Sequence, residues 1–537
     1  MAAAKTPMTR LEPLVLLVLS SAAAPFVHAQ DRGADPHALQ ALREEIAIAG
    51  ILGRLAPAPP PEVVVMRNVR VVDPIDRSVR ENQSVVATFG VIFWVGDRSD
   101  EPEAGDAQIL DGGGRFAAPG IADMHIHTES ASSYLLNVAH GVTTVREMDG
   151  FPWMLAVRDA VNNERMLGPT SYVAGTILNF AALGGYAVIV RDAVTARRVV
   201  RQQAACGYDF IKVHNLMPAR VFDPIGDESR RVGLDLVGHV PHHMRVRHAA
   251  EQGMRTTEHL KGWLDDSTLK MGDDDYAVAA SRELWVTPTF YGYRHYASPE
   301  AMQAMLRAPA ARYVPVRTRA QWEEFAATPP DAGFRLNQEA LPIRLQIMRG
   351  LTAQNARFLA GTDAANYPFQ TMGFALLDEM RLMRQTGLPE AQVWRAATTE
   401  AAVAMHSERA FGRIAPGMRA DIVLSARNPL DNAPEAYAEN QGVMVRGRWL
   451  DRAALDQALA ELAALYEGDE HRRADRASAE SLAASAEVAA ARGFVFNARI
   501  LLAAEAALRQ EGYGVAAGRV GRLAIAPLDS PCAAITQ

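Results

Sequence analysis

From Ile121 onward the chain repeats one texture: a short apolar segment of strand character, a stretch with helical spacing, then another short segment. Eight such segments stand out: IADMHIH, VTTVREM, TSYVAGTI, DFIKVH, DLVGHV, RTTEHL, WVTPTF and RFLAGTDA. Strands that alternate with helices pair in parallel, because each crossover returns the chain to the same end of the sheet. The fold class this predicts is α/β, a (β/α)8 TIM barrel whose reactive face lies at the C-terminal ends of the strands.

The flanks read differently. EVVVMRNVRVVDP, SVVATFGVIFWVGD and AQILDGGGRFAAPG alternate β-branched and polar residues, and so do GRIAPGMRADIVLSARNPL and QGVMVRGRWLD past residue 410. Together they predict a small β-sandwich built from both sides of the barrel. A chain of 537 residues exceeds one core, so two or three domains are expected. The expected organisation is a signal peptide at 1–29, a helix and Pro-rich linker at 30–61, β-sandwich parts at 62–118 and 411–451, the barrel at 119–410, and a helical C-terminal extension at 452–537. In the extension, ALDQALAELAALY has the spacing of an amphipathic helix.

Lys5 and Arg10, the apolar run Leu14–Ala24 and the VHA that ends at Ala29 have the layout of a secretory signal. The run is too short to span a bilayer. An exported protein, periplasmic or secreted and with no stable membrane insertion, is expected. The net charge is −7 and no long basic run occurs, which argues against a nucleic-acid partner. The two cysteines, Cys206 and Cys532, are too few for thiolate-held zinc, and whether they pair stays open. Any metal falls to imidazole and carboxylate.

His125 and His127 stand two apart at the end of the first strand segment, so they project from the same face. Two imidazoles on one side of a strand are half of a metal site. Other segments end in ligand-capable residues as well: Lys212 in the fourth, His239 in the fifth, His259 in the sixth and Asp363 in the eighth. This series, with GVTTVREMDG, CGYDFIKVH, AGTDA, AATTEAAVAM and GRIAPGMRADIVL, resembles the metal-dependent amidohydrolase superfamily. Within it the chain is similar to the imidazolonepropionase-like and Xaa-Pro or Xaa-Arg dipeptidase-like branch, from about Glu62 to Asp451. The form VREMDG departs from the more usual Arg-Asp-Met, with Glu147 in place of the aspartate.

The resemblance implies two divalent metal ions, with zinc the expected metal. His125, His127 and Asp363 would hold the more buried ion, and His239 and His259 the second. Lys212, N6-carboxylated, would bridge them together with a hydroxide. A free ammonium beside two cations would be repelled, whereas a desolvated neutral lysine can become an anionic carbamate. Asp363 would take the proton of the attacking hydroxide and return it to the leaving group. An uncarboxylated Lys212 paired with Asp363, in a one-metal site, is the alternative.

The reaction this implies is hydrolysis of an amide-like C–N bond in a small molecule, with a dipeptide or an N-acyl amino acid as the leading substrate. Cyclic amides, esters and lactones suit the same centre. Deamination is disfavoured, since relatives that deaminate often lack the strand-four lysine. A reading of another class is a non-catalytic metal-binding barrel. His214 shares a face with Lys212 and reads as a substrate contact, a supporting donor or a core residue. Tyr291, Tyr293 and Arg294 follow the seventh strand as a candidate carboxylate-binding loop or a packed lid. Gly184–Tyr186 reads as a close substrate approach or as a turn. Homo-oligomer formation stays open.

Overall fold

The computed structural model describes residues 37–525, apart from 58, 184–186, 266–269, 273, 282, 296–297, 329–330, 366–367 and 469–475, together with Cys532. The expected signal peptide 1–29 and the Gly184–Tyr186 segment lie outside the described residues. Strands from the two flanks of the chain enter a single seven-stranded sheet. Its order is Arg448–Asp451, Asn440–Val445, Ile422–Ser425, Gln108–Pro119, Val63–Val72, Val79–Thr88 and Val91–Asp97. The seam between the flanks is antiparallel, with Ile422 opposite Pro119 and Ser425 opposite Phe116. Val64, Met66, Val85, Ala87, Ile422, Leu424 and Met444 form an apolar cluster within it. That cluster is the product of the period-two alternation.

The long strand Gln108–Pro119 leads through Gly120 directly into Ile121–Ile126, the first of the parallel strands. A side chain at position 120 would meet Thr143 Oγ1 at 2.1 Å, so the close approach of these strands requires glycine. The parallel strands form two sheets. One joins Ile121–Ile126, Val142–Glu147 and Thr170–Val173. The other runs from Ala187–Ile189 through Ile177–Asn179, Phe210–Val213, Asp235–Gly238, Met254–Glu258 and Trp285–Thr287 to Arg357–Phe358. Isolated parallel bridges connect the two sheets, Ala174 with Phe210 on one side and Ile126 with Ala364 on the other.

Three predicted strands differ in extent, and the eighth, RFLAGTDA, is reduced to Arg357–Phe358. The third divides into Thr170–Val173 and Ile177–Asn179, with Gly175 pressed against Gln203 between them. The seventh stops at Thr287, before Pro288, which has no N–H for a ladder bond. Every residue of Ile121–Ile126 is buried. Its aspartate is paired: Asp123 accepts the backbone N–H of Thr362 at 3.1 Å and its hydroxyl at 2.9 Å, binding the first strand to the segment after the last.

Helices from the two ends of the chain pack together. Ala38–Leu55 contributes Leu42 and Ile48 to a core that also takes Leu455, Leu482, Leu501, Leu508 and Val520 from the C-terminal helices. In Ala498–Gln510 the buried Ala498, Leu501, Ala504 and Leu508 recur at helical spacing. The cysteine question resolves as a disulfide between Cys206 and Cys532, which lie 326 residues apart.

Glu379, fully buried on the helix Phe374–Gln385, accepts the backbone N–H groups of Phe290 at 3.0 Å and Tyr291 at 2.7 Å. It thereby holds the turn after the seventh strand. Burial, working against these two donors, pushes its pKa up to about 8 from an ordinary 4.5. The fold favours the protonated acid, so its contribution is complete below the ordinary value and is lost as pH rises through the folded-state value. In Glu379→Gln the melting temperature should fall less than in wild type between about pH 5 and about pH 8. Equal slopes in the two proteins would assign the pH dependence to other groups.

Candidate metal centre

His125, His127, Lys212, His239, His259 and Asp363 are all buried; His125 and Lys212 stand on parallel strands, His127, His239 and His259 directly follow strand ends, and Asp363 lies in the segment after Arg357–Phe358. Asp363 Oδ1 lies 2.8 Å from His127 Nε2 and 3.2 Å from His125 Nε2, and Oδ2 lies 3.8 Å from His259 Nδ1. The His125 and His259 rings are 4.6 Å apart, His259 and His239 are 4.8 Å apart, and His239 and His214 are 4.2 Å apart. The imidazoles thus form a continuous row from His127 to His214. The tightest group of ligand atoms joins His125, His259 and Asp363, within 4.8 Å of one another. It crosses the two ligand sets that the resemblance implies.

Buried side chains orient the rings. His125 Nδ1 lies 2.9 Å from Glu258 Oε2, His259 Nδ1 is 2.7 Å from the Thr289 hydroxyl, and His239 Nδ1 is 2.5 Å from Asn215 Oδ1. Each contact occupies one ring nitrogen and so selects the tautomer of the other. Arg146 donates to Glu258 at 2.8 Å and to the Thr256 hydroxyl at 2.9 Å. Asp149 approaches His127 Nδ1 to 3.0 Å. Glu147 accepts the Thr128 backbone N–H at 2.9 Å, while the ion pair of Arg146 goes to Glu258.

The electrostatics suit a cation. Burial, reinforced by neighbouring positive charge, holds His239 well below the ordinary imidazole range; it also lowers His259, against the pull of Asp363, so both present neutral rings. Burial lowers the Lys212 pKa against the opposing field of Asp149 and Asp363. Burial also opposes charge on His127, yet Asp149 and Asp363 outweigh it and raise its pKa to about 10. The potential that charges His127 is one that a metal ion would neutralise. His125 Nε2 and His127 Nδ1 are buried with no hydrogen bond assigned, although Asp363 and Asp149 stand 3.2 and 3.0 Å away. Orphaned imidazole nitrogens facing carboxylates fit a divalent ion with nitrogen and oxygen preference.

The remaining candidates divide. Tyr293 lies beside the row, its ring 6.3 Å from His259 and 3.7 Å beneath the Arg344 guanidinium. Tyr291 is fully buried and donates its hydroxyl to the Phe369 carbonyl at 3.0 Å, a packing arrangement. Arg294 belongs to the helix Phe290–His295, and its side chain lies outside the described residues. Sequence reasoning missed Asp149, Glu258, Asn215 and Thr289. Glu258, a carboxylate at the end of the buried strand Met254–Glu258, carried the one local signal.

Parallel strands whose C-terminal ends gather imidazoles around a carboxylate define an α/β scaffold with a candidate metal centre. The sequence pattern of the amidohydrolase family matches residues 116–450, and the chain belongs to that family. Among solved structures it is similar to a bottromycin amidohydrolase, with 25% identity, a TM-score of 0.65, and coverage of 80% of this chain and 96% of that one. A Xaa-Pro dipeptidase with bound methionine shares the fold at 17% identity and a TM-score of 0.57, over 72% of this chain and 100% of that one. Adenine deaminase 2 of Desulfotalea psychrophila is 37% identical over 113 residues, which is 20% of this chain and 17% of that protein. The similarity thus spans under a fifth of this curated relative's length.

Replacing Glu258 by Gln leaves Arg146 buried without its counter-ion. Removing one partner of a buried pair costs about 3–5 kcal/mol. Urea unfolding of the metal-free protein should register a loss of that order. A loss under about 1 kcal/mol would mean that Arg146 is satisfied by Thr256 and the Met124 carbonyl alone.

Proposed function

We propose that the chain is a metal-dependent hydrolase that cleaves an amide-like C–N bond in a small substrate, with a dipeptide or an N-acyl amino acid as the leading class. The observation that carries this reading is the convergence of His125, His259 and Asp363, flanked by His127 and His239, at the ends of parallel strands. The two bridges between the parallel sheets support a closed (β/α)8 barrel over 119–410. The seven-stranded sheet supports a separate β domain from 62–118 and 411–451, with 452–537 as a helical extension.

In this reading the five imidazole and carboxylate residues, together with N6-carboxylated Lys212, hold two divalent ions, zinc being the expected metal. Bound there, the ions supply a water of lowered pKa and polarise the scissile carbonyl. Glu258 holds His125 through Nδ1 and leaves its Nε2 toward Asp363, while Thr289 and Asn215 hold His259 and His239 through their Nδ1 atoms. Asp363 receives the proton of the attacking water on a carboxylate oxygen and passes it to the leaving nitrogen. Burial shifts Lys212 toward the neutral amine, the form that carbon dioxide modifies.

Export, with signal removal near Ala29, is part of the proposal. The Cys206–Cys532 disulfide supports it, because such bonds persist in oxidising compartments. Among the described residues no helix is long and apolar enough to cross a membrane.

Two measurements test the reading. Elemental mass spectrometry of protein grown with bicarbonate should find about two metals per chain, falling in Lys212→Ala. One metal in both proteins would remove the bridge, and none in either would favour a non-catalytic barrel. Against a panel of dipeptides, N-acyl amino acids and adenine, Asp363→Asn should lower kcat by roughly 10²–10⁴-fold with the fold intact by circular dichroism. Near-normal turnover would exclude Asp363 as the proton carrier, and ammonia released from adenine alone would move the reaction to deamination.

A further inference from the structure

The loop Thr128–Ala131 follows His127 directly, and three side chains from outside it hold its backbone and hydroxyl groups. Glu147, at the end of the second strand, accepts the Thr128 N–H at 2.9 Å. Glu45 Oε1 accepts the Ser130 hydroxyl at 2.8 Å and the Ala131 N–H at 2.9 Å. Asn497 Nδ2 donates to the Glu129 carbonyl at 2.8 Å. Only the first of these lies within the part of the chain that matches the family, residues 116–450.

Glu45 belongs to the helix Ala38–Leu55, and Asn497 caps Ala498–Gln510 by accepting the Arg499 N–H at 2.9 Å. Both helices share one apolar core, through Leu42 and Ile48 on one and Leu501 and Leu508 on the other. The N-terminal helix is further anchored by Glu44, which pairs with Arg317 at 2.6 Å. The far end of the C-terminal segment is tied to the barrel by the Cys206–Cys532 disulfide. The cavity between Glu45, Thr128, Trp153 and Asn497 is only about 10 Å³, room for one water at most. The appended helices therefore press on this loop with little slack.

We propose that the two helical segments outside the family match form a clamp on the loop after His127, with Glu45 and Asn497 as positioning residues that fix His127 for metal binding. The proposal rests on the reading of His127 as a metal ligand. A buried carboxyl that accepts two donors from one loop restricts that loop, because releasing it leaves buried polar groups without partners. Asn497 adds a third attachment from the opposite end of the chain. His127 then keeps Nε2 at Asp363 without relying on the metal to order it, and supporting contacts of this kind typically contribute about 10–100-fold to metal affinity.

The test is the zinc affinity of the metal-stripped full-length protein, read by competition with a chromophoric chelator. Asn497→Asp keeps the oxygen that caps its helix, replaces the donor to the Glu129 carbonyl by a second acceptor and adds a negative charge. Glu45→Ala removes the acceptor for Ser130 and Ala131, whereas Glu45→Gln keeps one. Asn497→Asp and Glu45→Ala should each bind zinc about tenfold more weakly, with Glu45→Gln close to wild type. Arg519→Ala, which breaks the 2.6 Å ion pair to Glu487 within the extension, should leave zinc binding unchanged. Wild-type affinity in Asn497→Asp and Glu45→Ala, with zinc lost in His127→Ala, would overturn the clamp. An equal loss in Arg519→Ala would also overturn it, by assigning the effect to general loosening of the helices. Unchanged zinc binding in His127→Ala would overturn the ligand reading itself.

Discussion

Arg146 lies wholly inside the molecule, and the alignment of three strands depends on what its guanidinium touches. From the second strand it donates to the Met124 carbonyl on the first and to Thr256 and Glu258 on the sixth. Glu258 then turns its other oxygen to His125. Burial alone would raise the Glu258 pKa, but Arg146 and His125 outweigh it and hold the carboxyl far below the usual range. Taking two ions from water costs several kcal/mol each, and only the complete set of partners offsets that cost. The network is satisfied in one strand register, so the histidine at its end has one orientation.

Above this network the backbone bends away from ordinary strand geometry. Asp363, His259 and Thr289 have φ values of 61°, 61° and 50°, in the left-handed region that side chains with a Cβ avoid. Neighbouring hydrogen bonds hold them there. Asp363 N–H donates to the His125 carbonyl at 2.8 Å, and His259 N–H donates to that of Thr287 at 2.9 Å. Glu379 fixes the two residues after Thr289. Strain of this kind persists where the surroundings over-determine it, and here it turns side chains from the strand ends toward one point.

The helical segments at the two ends of the chain extend this logic outward. They share a core with each other, and that core reaches the parallel strands. The disulfide joins the far end of one segment to the end of a helix between two parallel strands. The same parallel scaffold is thus braced from inside by buried charge and from outside by packed helices.

Much of this arrangement was legible in the sequence, for a local reason. Strand alternation has period two, so His125 and His127 share a face whatever the rest of the chain does. The succession of strand and helix texture likewise announced parallel α/β structure, and the β-rich flanks announced a second sheet. The oxygens that set the rings were not legible, because Glu258 meets His125 across 133 residues and Asn215 meets His239 across 24. Nor did any local pattern mark Glu45 and Asn497 as neighbours of one loop. The sequence by itself named the candidate ligands and the strand segments that lead to them, since these follow from residue type and spacing. Only the tertiary structure decided which atoms face one another, that Cys206 meets Cys532, and that both chain ends close on the His127 loop. Such contacts depend on how distant segments pack, and spacing along the chain does not encode them.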